Sequence, residues 1–343
     1  MKPKNKILLI YTGGTIGMQK QPNSDILTPF DFENIRENIP ELQLINQEID
    51  TISFEHPLDS SNIRPEHWIK MAKIIERNYE NYDGFVILHG SDTMAYTASA
   101  LSFMLENLSK PVILTGSQLP IGDLRTDAKE NIITSIEIAG SYENGSPIVP
   151  EVAIYFEFKL FRGNRATKLS TDEFNAFDSP NYNPLASSGV NLKFYKHRIL
   201  PSSSGIFSIS DQMNTNVLVL KIHPALTDVQ LQTLLDMPNL EGVVLETYGA
   251  GNTFSYPWFL DIIHNAIQEK HIFFVNISQC QKGVISPYKY ETGKKLMDLG
   301  VINGKDLTTE AALTKMMYLL SKNLSDKSFI KTMERPLKGE MNY

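Results

Sequence analysis

Short apolar runs recur along the chain at residues 7–11, 85–88, 112–114, 152–156, 217–222, 243–245 and 272–275. They are rich in β-branched residues, bounded by Gly, Pro or Asn, and show no inside–outside alternation. Runs of that kind read as parallel strands buried on both faces. Between them the spacing changes. Met94, Ala98, Leu101, Leu105 and Leu108 step by four and three, which predicts one apolar helix face over 94–108. "DVQLQTLLDM", "WFLDIIHNAIQEK" and "TTEAALTKMMYLLSK" carry the same period. Strand–helix alternation predicts an α/β fold with a mostly parallel sheet. The rhythm breaks near residue 178, where Ser, Pro and Asn dominate up to about residue 215. The expected organisation is a larger α/β domain over 1–185, a linker over 186–215 and a smaller α/β domain over 216–343.

In open α/β sheets, ligands bind beyond the carboxyl ends of the strands. The first run ends in "TGGT" (12–15), the second in "HGSDT" (89–93), the third in "TGSQ" (115–118), and "VVLE" leads into "TYGAGN" (247–252). Glycines admit close backbone approach to a ligand, and amides at helix starts favour anions. Ser and Thr hydroxyls serve as nucleophiles or ligands. Together they point to a small, polar, partly anionic substrate. Each motif also has a plain reading: a βα turn for Gly13-Gly14, a helix cap for Thr15 or for Asp92, a solvated surface side chain for Lys168. Recurrence at several strand ends favours the functional reading. His89 is read as structural, at the end of its strand, rather than as a general base.

Composition narrows the classes. A net charge of −7 with scattered Lys and Arg argues against nucleic acid and anionic membrane surfaces. No run is long enough for a membrane span, and the run at 7–11 is too short for a signal peptide. One cysteine, Cys280, allows no internal disulfide, so a cytoplasmic protein is expected. GxxxxGK[ST], GxGxxG after the first strand, HExxH and GxSxG are all missing, and seven scattered histidines give no metal-ligand spacing. No metal and no cofactor is expected.

"TGGTIGM", "DSSNIRPEHW" (59–68), "HGSDTMAYTASAL" (89–101), "TGSQLP" (115–120) and "YGAGN" (248–252) occur in the order seen in bacterial L-asparaginases, and the chain most resembles the cytoplasmic, type I branch. The resemblance extends through "NISQC" (276–280) to the final helical segment. It implies an amidohydrolase that converts L-asparagine and water to L-aspartate and ammonia. It implies a larger N-terminal domain with a flavodoxin-like open parallel sheet, a smaller C-terminal α/β domain, and a homodimer or homotetramer. In such assemblies the active site lies between the N-terminal domain of one subunit and the C-terminal domain of its partner.

Carried over by position, Thr15 would be the nucleophile that forms an acyl-enzyme. Ser91, Asp92 and Lys168 would form a proton-relaying triad. The amides of Thr15 and Ser91 would make the oxyanion hole. Asp59, Ser60 and Ser61 would hold the α-carboxylate and α-ammonium of the substrate, with Ser91 and Asp92 alongside. The carbonyl of Ser117 would receive the leaving amide. Thr12 would support the turn rather than react. Two positions depart from the family pattern. Ser91 replaces a threonine, and the lid stretch 19–32 lacks the tyrosine that usually assists the nucleophile, which leaves the assisting group open. The stretch 278–280 falls where some type I members bind a second asparagine, but Glu246 places an acid near where a cation is wanted, so allostery is not expected. Two other functions compete. One is a weak or inactive asparagine-binding sensor. The other is the asparaginase-like subunit of a tRNA-dependent amidotransferase, which usually carries an added N-terminal domain for which a TGGT starting at residue 12 leaves no room.

Overall fold

The computed structural model describes residues 4–20, 27–29, 39–286, 288 and 291–343. These form two compact units, 1–211 and 212–343. The first is built on a mixed eight-stranded sheet. Its strands are β1 (Lys6–Gly13), β2 (Glu48–Leu58), β3 (Gly84–Leu88), β4 (Val112–Thr115), β5 (Val152–Phe156), β6 (Lys159–Arg162), β7 (Ala186–Ser187) and β8 (Lys193–Phe194). The spatial order is β8-β7-β6-β5-β4-β3-β1-β2. β1 to β5 are parallel in the order 2-1-3-4-5, and β6 to β8 extend that sheet antiparallel. This is the flavodoxin-like arrangement, whose crevice opens where the order reverses, between β1 and β3.

The apolar runs explain the middle of the sheet. Ile7, Leu9 and Tyr11 of β1 join Val86, Leu88, Ile113, Ala153 and Tyr155 in one core. That core also holds Ala128, Ile132 and Ile136 of α3 (Ala128–Ala139). The intervening residues Leu8, Ile10, Phe85 and Ile87 are equally buried on the opposite face. On β4 and β5 packs α2 (Met94–Met104), and against α2 packs α1 (Pro65–Asn78). The helix expected over 94–108 stops at Met104. Leu105 leaves helical geometry at φ −87°, ψ 88°, and Asn107 takes φ 54°. Leu105 and Leu108 remain buried, but in extended chain, and 105–106 pairs with Ser208–Ile209. Apolar spacing of three and four cannot tell a helix end from an inward-facing loop.

The stretch expected as a linker carries β7 and β8 and is tied to the first unit. Arg162 and Glu151 form a buried ion pair at 2.6 Å. Arg162 also donates to the Arg198 carbonyl (2.7 Å), and Glu151 accepts from the Leu200 amide (2.9 Å). The chain divides between residues 211 and 212.

In the second unit, β9 (Val217–Lys221), β10 (Gly242–Thr247), β11 (Phe273–Ser278) and β12 (Ile302–Asn303) lie parallel in sequence order. One face packs Val243, Leu245 and Phe274 against α4 (Asp228–Leu235), α5 (Pro257–Gln268) and α6 (Glu291–Asp298). The other packs Val244, Val275 and Ile277 against α7 (Thr309–Leu320) and α8 (Asp326–Met333). Adjacent residues facing opposite layers is the period of two that buried strands require. Among the described residues no helix is long and apolar enough to cross a membrane.

Candidate active site

The loops after β1, β2, β3 and β4 meet at the crevice. Gly13 ends β1 and Gly14 follows it, with φ of 130° and 85°, backbone that residues with a Cβ rarely adopt. The Gly14 amide donates to the Leu58 carbonyl at the end of β2 (3.0 Å). A Cβ on Gly14 would fall 2.4 Å from the Gly90 backbone, and one on Gly90 would fall 2.6 Å from Ser60 Oγ. Three loops are thus packed backbone to backbone, and Thr15 and Ser91 each follow one of the two touching glycines. Thr12 is buried, and its hydroxyl donates to the Leu88 carbonyl of β3 (2.9 Å), so it stitches the two strand ends together.

Thr15 opens a single 3-10 turn, Thr15–Gly17, and is exposed. Tyr11 closes that turn from beneath, its hydroxyl donating to the Gly17 carbonyl (3.1 Å); burial pushes this phenol up to about 12. Ser91–Thr93 form a second 3-10 turn leading into α2. Asp92 therefore sits at the positive end of a helix, a favourable place for a carboxylate. Lys168 lies on a two-residue strand, Thr167–Lys168, paired with Phe177–Asp178. Its Nζ donates to Ser91 Oγ (2.9 Å) and to Asp92 Oδ1 (2.7 Å). Asp92 is largely exposed, whereas the Lys168 side chain is only 15% exposed. The ammonium is consequently shielded and already oriented, while the carboxylate faces the crevice.

After β2, Asp59 caps the turn Ser60–Asn62, accepting from the Ser61 amide (2.9 Å) and hydroxyl (2.8 Å). Those two bonds, the amide first, hold its carboxyl below the usual aspartate value. Ser60 is buried, with its carbonyl accepting from Thr93 Oγ1 (2.7 Å), whereas Ser61 is exposed. After β4, Ser117 is buried and donates to the Leu119 carbonyl (2.6 Å). Asp127 holds this loop by accepting from the Gln118 and Leu119 amides, and Asn131 donates to the Gly116 carbonyl (2.9 Å). Asp127 and Asn131 were not picked out by sequence reasoning. The available signal was an acid at the N-cap of the next helix, seven residues beyond TGSQLP.

Thr15, Asp59, Ser60, Ser61, Ser91, Asp92, Ser117 and Lys168 all belong to the first unit. Lys168 is bonded directly to both Ser91 and Asp92. The lid stretch 19–32 lies largely outside the described residues; at its start, Met18–Lys20 pairs antiparallel with Leu27–Pro29. In the second unit, Ser278 Oγ donates to the Gly249 carbonyl (2.6 Å), and Glu246 accepts from Thr309 Oγ1. Among the described residues no group of three or more His, Cys, Asp or Glu could hold a metal ion.

Comparison with known proteins agrees with this geometry. Residues 6–200 match the asparaginase N-terminal family, and residues 216–333 match the glutaminase/asparaginase C-terminal domain. The chain is 40% identical to L-asparaginase 1 of Escherichia coli K12, over 98% of both chains. The crystal structure of L-asparaginase I from Vibrio cholerae superposes with a TM-score of 0.88 at 36% identity, covering 99% of this chain and 100% of that one. The thermostable L-asparaginase from Thermococcus kodakarensis superposes with a TM-score of 0.89 at 31% identity, covering 98% and 99%. On its crevice geometry and on these full-length matches, the chain belongs to the asparaginase family.

Proposed function

We infer that this chain is an L-asparaginase, hydrolysing L-asparagine to L-aspartate and ammonia through a Thr15 acyl-enzyme. The observation that carries the mechanism is the bridging of Ser91 Oγ and Asp92 Oδ1 by Lys168 Nζ beside the Gly14–Gly90 contact. Thr15 Oγ1 attacks the side-chain amide carbon. The carbonyl oxygen takes the negative charge and is met by the amides of Thr15 and Ser91. Collapse breaks the C–N bond, ammonia leaves with the proton taken from the nucleophile, and an ester remains on Thr15. Ser91, polarised by Lys168, activates the water that cleaves the ester. Lys168 passes one of its protons to Asp92 and, as a neutral amine, takes the proton that Ser91 hands on from the water, so the relay needs no histidine. Asp92 and Asp59 face the α-ammonium, Ser60 and Ser61 the α-carboxylate, and Ser117 offers its carbonyl to the leaving amide. The chain acts in the cytoplasm as a homodimer or homotetramer with its site completed at the subunit interface.

Acid quenching of the Lys168→Met variant with L-asparagine, followed by peptide mass analysis, tests the intermediate. The expected result is a Thr15 peptide heavier by one aspartyl group. An aspartyl group on Ser91 would assign the nucleophile there instead.

A further inference from the structure

A buried histidine stands immediately before the proposed oxyanion donor, and the chemistry above does not use it. His89 is fully buried. Trp68 Nε1 on α1 donates to Thr97 Oγ1 on α2 (3.0 Å), Thr97 Oγ1 lies 2.9 Å from His89 Nε2, and His89 Nδ1 lies 2.7 Å from the Gly90 carbonyl. The proton positions follow from what each group can do. A carbonyl only accepts, so His89 Nδ1 carries the hydrogen that goes to the Gly90 carbonyl. The neutral ring then accepts at Nε2 from the Thr97 hydroxyl, which itself accepts from the Trp68 indole. Burial pulls the imidazole down to about 4, so it is neutral at working pH and is no proton shuttle.

The Gly90 carbonyl shares one rigid trans peptide plane with the Ser91 N–H, and the two point in opposite directions. Gly90 brings no side chain to hold that plane, and Ser60 and Gly14 leave it no room for one. The Ser91 amide finds no acceptor among the described residues. We propose that His89 is a positioning residue: its Nδ1–H bond to the Gly90 carbonyl fixes the Gly90–Ser91 plane and so aims the Ser91 amide at the oxyanion of the tetrahedral intermediate. The proposal rests on the reading of that amide as an oxyanion donor. It also gives the Trp68–Thr97 bond a function, because an indole donating to the Thr97 oxygen leaves the Thr97 proton free to hold Nε2.

The test combines steady-state ammonia release, melting temperature and the amide resonance of Ser91 in protein labelled with 15N-serine. His89→Leu deletes the donor. It is expected to lower kcat about 10- to 100-fold with KM within about twofold, because an interaction used only in the transition state leaves ground-state binding alone. The Ser91 amide resonance is expected to move. His89→Asn, whose side-chain amide can place a donor near Nδ1, is expected to restore most of both. Thr97→Val removes the hydroxyl that holds Nε2 and is expected to lower kcat by a smaller factor, about threefold. The proposal is overturned by a folded His89→Leu protein with normal kcat and an unmoved resonance. It is equally overturned by losses in kcat that follow melting temperature and are not restored by His89→Asn. If the wild-type protein releases no ammonia, the asparaginase reading fails, and the movement or constancy of the Ser91 resonance alone decides the role of His89.

Discussion

In the proposed mechanism the chemistry turns on Lys168, which bonds both the Ser91 hydroxyl and the Asp92 carboxylate. Lys168→Met is expected to cut kcat by about 10² to 10⁴, the usual range for losing a positioned proton-transfer group, while the protein stays folded. Steady-state kinetics with a melting curve checks this. Ser91 keeps the hydroxyl but lacks the methyl that stiffens χ1 in threonine. Ser91→Thr is therefore expected to stay within about threefold of the wild-type kcat. A dead Ser91→Thr variant would mean that Lys168 and Ser91 are not partners in turnover. His89 makes a separate prediction about stability. Its folded-state value of about 4 lies below the ordinary value of 6.5, so between these pH values the unfolded chain binds the extra proton. The contribution is complete above pH 6.5 and is lost as pH falls toward 4, by about 3 kcal/mol. Denaturant titrations at pH 7 and pH 4.5 are expected to show a smaller acid loss in His89→Asn, which cannot titrate there.

At the scale of the element, the first βα turn is the most constrained piece of the fold. Gly14 combines φ 85° with backbone 2.4 Å from where a Cβ would sit. Gly14→Ala therefore suffers both backbone strain and a clash that no rotamer relieves. It is expected to cost about 3 kcal/mol or more and to lower activity with it, as chemical denaturation and turnover would record. This turn was legible in the sequence because glycine beside a hydroxyl residue recurs at several strand ends, although Gly13-Gly14 alone reads as an ordinary βα turn. β2 was not. Its residues are mostly half-buried or exposed, so at the sheet edge "EIDTISFEHPL" carries no apolar run, even though β2 delivers Asp59 to the site. The strands at 186–187 and 193–194 were hidden for another reason: two residues are too few to show a period. The end of α2 was misread because Leu105 and Leu108 stay buried after the helix stops.

At the scale of the whole molecule, each unit holds a buried ion pair that fastens a length of irregular chain. In the first, Glu151–Arg162 anchors the polar stretch around residue 198. In the second, Lys315 of α7 and Glu340 are both fully buried and 2.7 Å apart. The ammonium also donates to the Met333 carbonyl, and the carboxylate accepts from the Leu337 and Lys338 amides, so the pair fastens the chain after α8. Removing one partner strands a buried charge. Glu340→Gln is expected to destabilise the second unit by about 3–5 kcal/mol, read as an earlier unfolding transition. Neither pair could be foreseen from sequence, since a lone Lys on an apolar helix face looks like any surface lysine. The motifs of the crevice, by contrast, were visible as residues; what the sequence could not supply was which side chains hold them. Trp68, Thr97, Asp127 and Asn131 act through bonds to neighbouring loops that no local pattern encodes.

The central claim is that Thr15 turns L-asparagine over in this crevice. The most direct measurement is ammonia release from L-asparagine across a wide concentration range, comparing the wild-type protein with Thr15→Val. Saturable release is expected that falls by at least about 10³-fold in Thr15→Val while L-asparagine still raises the melting temperature of the variant. Equal release from both proteins would remove Thr15 as the nucleophile. Binding without release in the wild-type protein would make the chain a sensor of asparagine rather than an enzyme that consumes it.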